Sequence, residues 1–257
     1  MDFNAFFTKP TLRYVEHDIV NHCNLNCSGC THFSPLAKPW YEDLTDFIKN
    51  FSELKNKFNV KKIRLMGGEP LLHPQVKEFL VACRRIFPYA QIHIVTNAIL
   101  MQKDQELIDV INKNAIIVSV TDYGIINNLN ERLAGINRTI VTQRHTMYNM
   151  CFKAGGDAAF AYANCIPRIS ECNFFQDGKM YPCAQAAKSW IFNENFAVKL
   201  PLCEGITVAD HTAQEILDYV YRTPVDLCGY CDVKAAKNSY HTYSISKLNE
   251  KEWIGDE

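Results

Sequence analysis

The chain has 257 residues, 47% of them hydrophobic, enough to bury one large core, or one core with a smaller appendage. Its net charge of −1 excludes the electrostatic footprint of a nucleic-acid or anionic-membrane binder, and no apolar stretch approaches a membrane span. Eleven cysteines in a chain this long, with no basic region and apolar run around Phe3, Phe6 and Phe7, point to a cytoplasmic metal protein rather than a secreted disulfide scaffold.

Strand-like and helix-like segments alternate from about residue 12 to residue 145. Residues 13–20 read as a strand, with β-branched residues in partial alternation. Residues 44–58 place Leu44, Phe47, Ile48, Phe51, Leu54, Lys55 and Phe58 near helical spacing. A strand over 62–66, a helix over 74–87 and a strand over 91–96 follow. Cys83 in that helix reads as a small buried hydrophobe. Next come a helix over 103–112, a strand over 115–121, a short helix near 129–134 and a strand over 138–142. The basic pairs Lys61-Lys62 and Arg84-Arg85 read as solvated faces. Such alternation implies a parallel α/β sheet built by right-handed crossovers, with five unit strands and room for one more.

After about residue 150 the alternation stops and most of the remaining cysteines appear: Cys151, Cys165, Cys172, Cys183, Cys203, Cys228 and Cys231. Residues 173–175 and 179–181 flank Asp177-Gly178, a hairpin turn signal, with Cys183 directly after it. A helix near 213–221 leads to Cys228-Gly229-Tyr230-Cys231. This division predicts a parallel barrel-type unit over 1–150 and a smaller appended subdomain over 151–257.

Chemistry concentrates first in His22-Cys23-Asn24-Leu25-Asn26-Cys27-Ser28-Gly29-Cys30. Three thiolates at this spacing leave a four-iron cluster one ligand short, whereas clusters that only carry electrons normally have four cysteines. An open iron marks a place for a small molecule. The other readings are a zinc site completed by His22 or His32 and a chance group of thiols; the three-residue gap argues against zinc. Downstream, Lys62-Ile63-Arg64-Leu65-Met66-Gly67-Gly68-Glu69-Pro70 reads as a strand ending in a glycine pair. A Gly-Gly turn exposes backbone groups and lets a ligand approach, Glu69 adds a carboxylate, and Pro70 stops the strand.

These two motifs together resemble the radical S-adenosylmethionine (SAM) superfamily. The resemblance implies a partial (β/α)6 TIM-like barrel in which Cys23, Cys27 and Cys30 hold a [4Fe–4S] cluster whose fourth iron SAM chelates. It implies that Gly67, Gly68, Glu69 and Pro70 meet the methionine amino group, and that Asn97 and Ser119 contact the ribose. Many members carry an aromatic residue just before the third cysteine; here it is Gly29, so His32 or Phe33 is expected to meet the adenine.

Cys165, Cys183, Cys228 and Cys231 can bring four thiolates from a hairpin and a distant loop to one tetrahedral metal site, either structural zinc or an iron–sulfur cluster. The pattern resembles the twitch subdomain, the one-cluster form of the SPASM extension, which implies that these four residues hold an auxiliary [4Fe–4S] cluster. Further cysteines of a full SPASM pattern are absent after the C-x-x-C pair. Cys151, Cys172 and Cys203 remain, either as packing or as hydrogen-atom donors.

The layout is similar to that of the aminocyclitol dehydrogenase of the butirosin pathway. It implies an oxidoreductase acting on a sugar- or cyclitol-like small molecule, supplied by an external one-electron donor of flavodoxin or ferredoxin type, with no nucleic-acid or membrane partner. An epimerase or peptide-modifying enzyme, and a noncatalytic zinc or iron–sulfur protein, are the alternatives. The short stretch before residue 12 favours a small substrate over a leader-bearing peptide. Arg144, His145 and Arg168 are polar candidates near the junction of the two segments.

Overall fold

The computed structural model describes residues 9–101, 104–144, 151–238 and 243–255. Phe3, Phe6, Phe7, Lys103 and His145 lie outside the described residues. The strands are β1 (Thr11–Leu12), β2 (Tyr14–Val20), β3 (Asn59–Val60), β4 (Lys62–Gly67), β5 (Gln91–Thr96), β6 (Ile117–Asp122), β7 (Thr139–Gln143), β8 (Cys172–Gln176), β9 (Lys179–Tyr181) and β10 (Ile206–Thr207). β1 and β3 form a small parallel pair. The others form one eight-stranded sheet in the order β10-β9-β8-β2-β4-β5-β6-β7.

From β8 to β7 every pairing is parallel, as crossover connections require. Helices α1 (Leu44–Lys57), α2 (Val76–Ile86), α3 (Gln105–Lys113) and α4 (Leu129–Arg132) lie between successive strands from β2 to β7. Asp43 caps α1 by accepting from the amides of Thr45 and Asp46, and Asp104 caps α3 through Leu107 N. That cap starts α3 at Gln105 rather than at the 103 expected from periodicity.

The sheet's two faces differ in kind. Val15, Ile19, Ile63, Leu65, Ile92, Ile94, Val118 and Val120 share one buried cluster with Phe47, Phe51, Phe79, Leu80, Cys83 and Ile111 of the helices. Burying each large side chain contributes about 1.5–3 kcal/mol, which makes this layer the main source of stability. The alternate residues, among them Glu16, Arg64, Met66, Val95 and Thr121, line a cavity on the other face.

The hairpin expected to belong to an appended subdomain is part of this sheet. β8 pairs in parallel with β2 (Tyr14↔Cys172, Glu16↔Phe174), and β9 and β10 continue it in antiparallel fashion. The sheet therefore runs across residue 150, and β8 is the sixth parallel neighbour. Among the described residues β7 and β10 are the two ends of the sheet and do not pair with each other, so the barrel is open.

Helices α5 (Ala158–Asn164), α6 (Ile166–Ile169) and α7 (Ala184–Asn195) were not legible from periodicity. α7 shows why: it buries Gln185, Lys188 and Ser189 beside Ala186, Ile191 and Phe192, leaving no apolar stripe. Later come α8 (Ala213–Arg222), a 3₁₀ turn over Asp226–Tyr230 and α9 (Val233–Asn238).

The basic pairs are not simply solvated. Lys62 Nζ sits 3.8 Å from the Tyr14 ring centroid, and Arg84 donates to the carbonyls of Asn114, Phe87, Pro88 and Ala90. Among the described residues no helix is long and apolar enough to cross a membrane.

Candidate active site

Cys23, Cys27 and Cys30 lie in the loop after β2, at the carboxyl edge of the sheet. The loop is held from a distance that sequence motifs do not reveal. Ser28 N donates to Ser244 O at 3.0 Å, Ser246 N to Asn26 O at 2.7 Å, and Trp253 Nε1 to Cys30 O at 2.8 Å. The last residues of the described chain thus clamp the thiol loop.

The glycine pair serves this loop as well as the cavity. Gly68 N donates to Val20 O and Glu69 N to His22 O, both at 3.1 Å. A Cβ on Gly67 would run into Val20 O, and one on Gly68 into His22 O. Gly67 also has φ 144°, a conformation that other residues reach only with strain. Two glycines are required because two backbones meet there.

Glu69 is fully buried just behind the cavity lining. Its carboxylate accepts from Thr96 Oγ1 (2.7 Å), Asn97 N (2.8 Å) and Leu71 N (3.1 Å). Burial pushes its pKa up to about 7 against these hydrogen bonds. Pro70 opens a 3₁₀ turn over Pro70–Leu72 and is buried. Of the Gly67–Pro70 motif, Gly67 and Gly68 line the cavity.

Asn97 lines it too, donating to Asn24 Oδ1 at 2.7 Å and reaching Cys23 Sγ at 3.8 Å. Ser119 does not join the lining; its hydroxyl pairs with His93 Nδ1 at 2.8 Å. Two residues further along the same strand face, Thr121 reaches the cavity, followed by Tyr123. His32 lines the cavity, whereas Phe33 is buried in a second core with Phe152, Phe192 and Trp253. The aromatic place left by Gly29 therefore has His32 and Tyr123 nearby, and not Phe33. Arg144 lines this cavity, while Arg168 sits at the second thiol group.

The cavity measures about 470 Å3, and cysteines of both motifs line it: Cys23, Cys27 and Cys30, and Cys165 and Cys183. A second cavity, of about 30 Å3, is lined by Cys165, Cys183, Cys228 and Cys231. Cys165 caps α6 by accepting from Arg168 N, and Cys183 caps α7 by accepting from Ala186 N. At Cys183 that backbone N–H bond works against the upward push of burial.

A buried polar network joins the two regions. Lys188 of α7 pairs with Asp18 of β2 and donates to Asn21 Oδ1 at 2.6 Å, while His32 Nδ1 lies 2.9 Å from Asp18 Oδ2. None of these partners is adjacent in sequence, and of them only His32 was marked by its position near the cysteines.

The donor set suits an iron–sulfur cluster. Burial pushes Cys23 up to about 12 and Cys27 up to about 11, a cost that binding a positive centre would offset. Cys183 is likewise pushed up to about 12, chiefly by burial. The expected zinc alternative fits less well. His32 is engaged by Asp18, and the His22 ring packs edge-on against Tyr41 with centroids 5.0 Å apart. Among the described residues no three His, Cys, Asp or Glu side chains form a group that could hold a single metal ion; the thiols surround a space instead.

Comparison with known proteins gives a consistent picture. Residues 18–125 match the family model of the radical SAM superfamily. A GTP 3′,8-cyclase of Listeria monocytogenes is 35% identical over 95 residues, covering 36% of this chain and 28% of its own. Molybdenum cofactor biosynthesis protein 1 of Bos taurus is 34% identical over 102 residues, covering 38% of this chain and 16% of its own. The chain therefore spans less than a third of the length of these relatives. Among solved structures, BtrN in complex with AdoMet and 2-DOIA matches with TM-score 0.53 at 15% identity, covering 92% of this chain and 99% of its own. A histidine-tagged anSMEcpe with bound AdoMet matches with TM-score 0.52 at 12% identity, covering 92% and 93%. At such identities the likeness is one of fold.

Proposed function

We propose that this protein, a member of the radical SAM superfamily through residues 18–125, oxidises a hydroxyl-bearing carbon of a sugar- or cyclitol-like small molecule. Cys23, Cys27 and Cys30 would hold the [4Fe–4S] cluster, and the Gly67–Gly68 backbone with Asn97 would meet SAM. Glu69 would hold Asn97 and the strand end in place, and Pro70 would set the turn. Cys165, Cys183, Cys228 and Cys231 would hold a second [4Fe–4S] cluster.

With a cluster and SAM held by these residues and an electron from an external one-electron donor, the cofactors would supply radical hydrogen abstraction from carbon, and a second cluster at Cys165, Cys183, Cys228 and Cys231 would supply an acceptor for the substrate's remaining electron, the hydroxyl proton leaving to solvent. The chain's own task is to enclose and orient. Strands β2, β4, β5 and β6 wall the cavity, and His32, Asn97 and Arg144 give it polar contacts that would orient the target carbon.

One observation carries this reading: Cys165 and Cys183 line the same cavity as Cys23, Cys27 and Cys30. A substrate in that space lies between two thiol groups. Turnover of carbon-deuterated sugars and cyclitols with SAM, under reducing anaerobic conditions, tests it. The expected product is two electrons more oxidised than the substrate, with deuterium in 5′-deoxyadenosine and SAM consumed stoichiometrically.

A second reading, epimerisation, draws on Cys172, which lines this cavity while Cys151 and Cys203 do not. An isomeric product carrying solvent deuterium at the target carbon, lost in Cys172→Ala, would decide for it.

A further inference from the structure

The cavity has a floor as well as a cysteine-lined mouth. Tyr14 and Glu16 near the start of β2, Arg64 of β4 and Cys172 at the start of β8 all line it. Glu16 and Arg64 are register partners, and Arg64 is in turn the partner of His93, so the three form one layer across adjacent strands. From Arg64 to Gly68 is four residues, a depth of ~13 Å at the rise of a strand. The layer therefore sits well below the glycine pair, at the far end of the same space.

Arg64 Nη1 donates to Tyr14 Oη at 2.6 Å and to Glu16 Oε1 at 3.3 Å, and Tyr14 also donates to Glu16 Oε1. The Cys172 thiol also hydrogen-bonds Glu16 and Tyr14, and the remaining guanidinium donors and carboxylate lone pairs still have capacity. The two side chains are 28% and 13% accessible, and both border the cavity. Enclosing an ion pair in a strand face that could have carried apolar residues is costly without a use for it.

We propose that the Glu16–Arg64 pair is the substrate-recognition site of this cavity and that it takes a neutral vicinal diol, as found on an uncharged sugar or cyclitol. This rests on the reading that the cavity holds a small-molecule substrate of a radical SAM enzyme. One hydroxyl accepts from Arg64 and its neighbour donates to Glu16, so neither charge has to be unpaired. An anionic group would face Glu16. A cationic group would face Arg64 and Lys62. His93 in the same layer, outside the cavity lining, is held down to about 4 by burial first and then by these two cations and Arg138.

The test uses the full chain with its clusters loaded and SAM present, and three probes that share one ring: D-glucose, D-glucosamine and D-glucuronate. Binding is read by ligand-observed NMR titration. D-glucose should bind best, and Glu16→Gln should weaken it about tenfold or more, as loss of a charge-assisted hydrogen bond does. Should that variant load poorly, Glu16→Gln/Arg64→Met removes both charges together and strands neither. Preference for D-glucuronate or D-glucosamine, absence of binding by all three, or equal D-glucose affinity in a loaded variant would overturn the proposal. Reductive SAM cleavage by the unaltered protein is measured separately. Its absence would count against the superfamily activity; its presence with no D-glucose binding would count against this site alone.

Discussion

Lys188 sets its ammonium on the carboxylate of Asp18, and the two residues are 3% and 0% exposed. The pair ties α7, which Cys183 caps, to the strand that leads into the Cys23–Cys30 loop. An ion pair between residues far apart in the chain thus helps to place the two thiol regions, beside the β2–β8 pairing and the Lys188–Asn21 hydrogen bond. The partners His32 and Lys188 hold the Asp18 carboxyl well below the usual range despite its burial. Lys188→Met leaves the buried Asp18 carboxylate with His32 as its remaining charged partner and should cost about 3 kcal/mol, the low end for breaking a buried pair, whereas Asp18→Asn/Lys188→Met should recover most of the loss. Urea unfolding of Lys188→Met, Asp18→Asn and the double variant measures the coupling. Equal losses in the single and double variants would deny the pair its role.

Replacing Cys23, Cys27 and Cys30 together with Ala should abolish reductive SAM cleavage and leave about four of about eight irons, the count for two cubanes. Iron and sulfide analysis beside a cleavage assay reads both effects. Cleavage surviving in the triple variant would remove these residues from the cofactor site.

Glu69→Ala should weaken SAM binding by about one to two orders of magnitude without loss of either cluster. The loss would travel through the groups that Glu69 holds, Asn97 N, Thr96 Oγ1 and Leu71 N, rather than through a lost contact to SAM. Glu69→Gln, which keeps an acceptor for one side of that set, should fall between. Equilibrium dialysis with reconstituted protein measures all three, and an unchanged dissociation constant in Glu69→Ala would end this role.

Stability should fall as pH rises through the neutral range because of Glu42. This buried carboxyl accepts from Gln176 Nε2 at 2.8 Å and lies 3.6 Å from His17 Nε2. Burial, with Asp177, Asp46 and Asp18 nearby, raises its pKa from 4.5 to about 8. Between those values the unfolded chain has lost a proton that the native state retains, so its contribution is complete below 4.5 and gone above 8. The slope is about 1.4 kcal/mol per pH unit at its steepest. His17, lowered to about 4 chiefly by burial, acts oppositely between 4 and 6.5. Glu42→Gln should flatten the fall between pH 6.5 and 8; denaturation midpoints that decline as steeply in the variant would assign the slope elsewhere.

The sequence alone determined what depends on local order. Alternating periods of two and 3.6 marked the strands and helices from β2 to β7, since each element must turn one apolar face to a shared layer. The spacing of Cys23, Cys27 and Cys30, and the pair Gly67-Gly68, are equally local, because ligand sets and tight backbone approaches act over a few residues. Only the tertiary structure decided which distant groups meet. Nothing in the period of β8 announces that it will lie beside β2, and a turn signal is the same whether its hairpin hangs free or extends a sheet. The polar residues of α7 hid a helix whose Lys188 is neutralised by Asp18, a partner that exists only after folding. Glu69 reads from sequence as a carboxylate offered to a ligand, and only the fold shows that Thr96 and Asn97 at the end of the next strand supply it with donors. Cys172, Cys151 and Cys203 were equivalent as leftover thiols until one of them was brought to the cavity wall. Pairings across more than a hundred residues carry no sequence period, and the energy that selects them comes from burial and charge compensation in the finished fold.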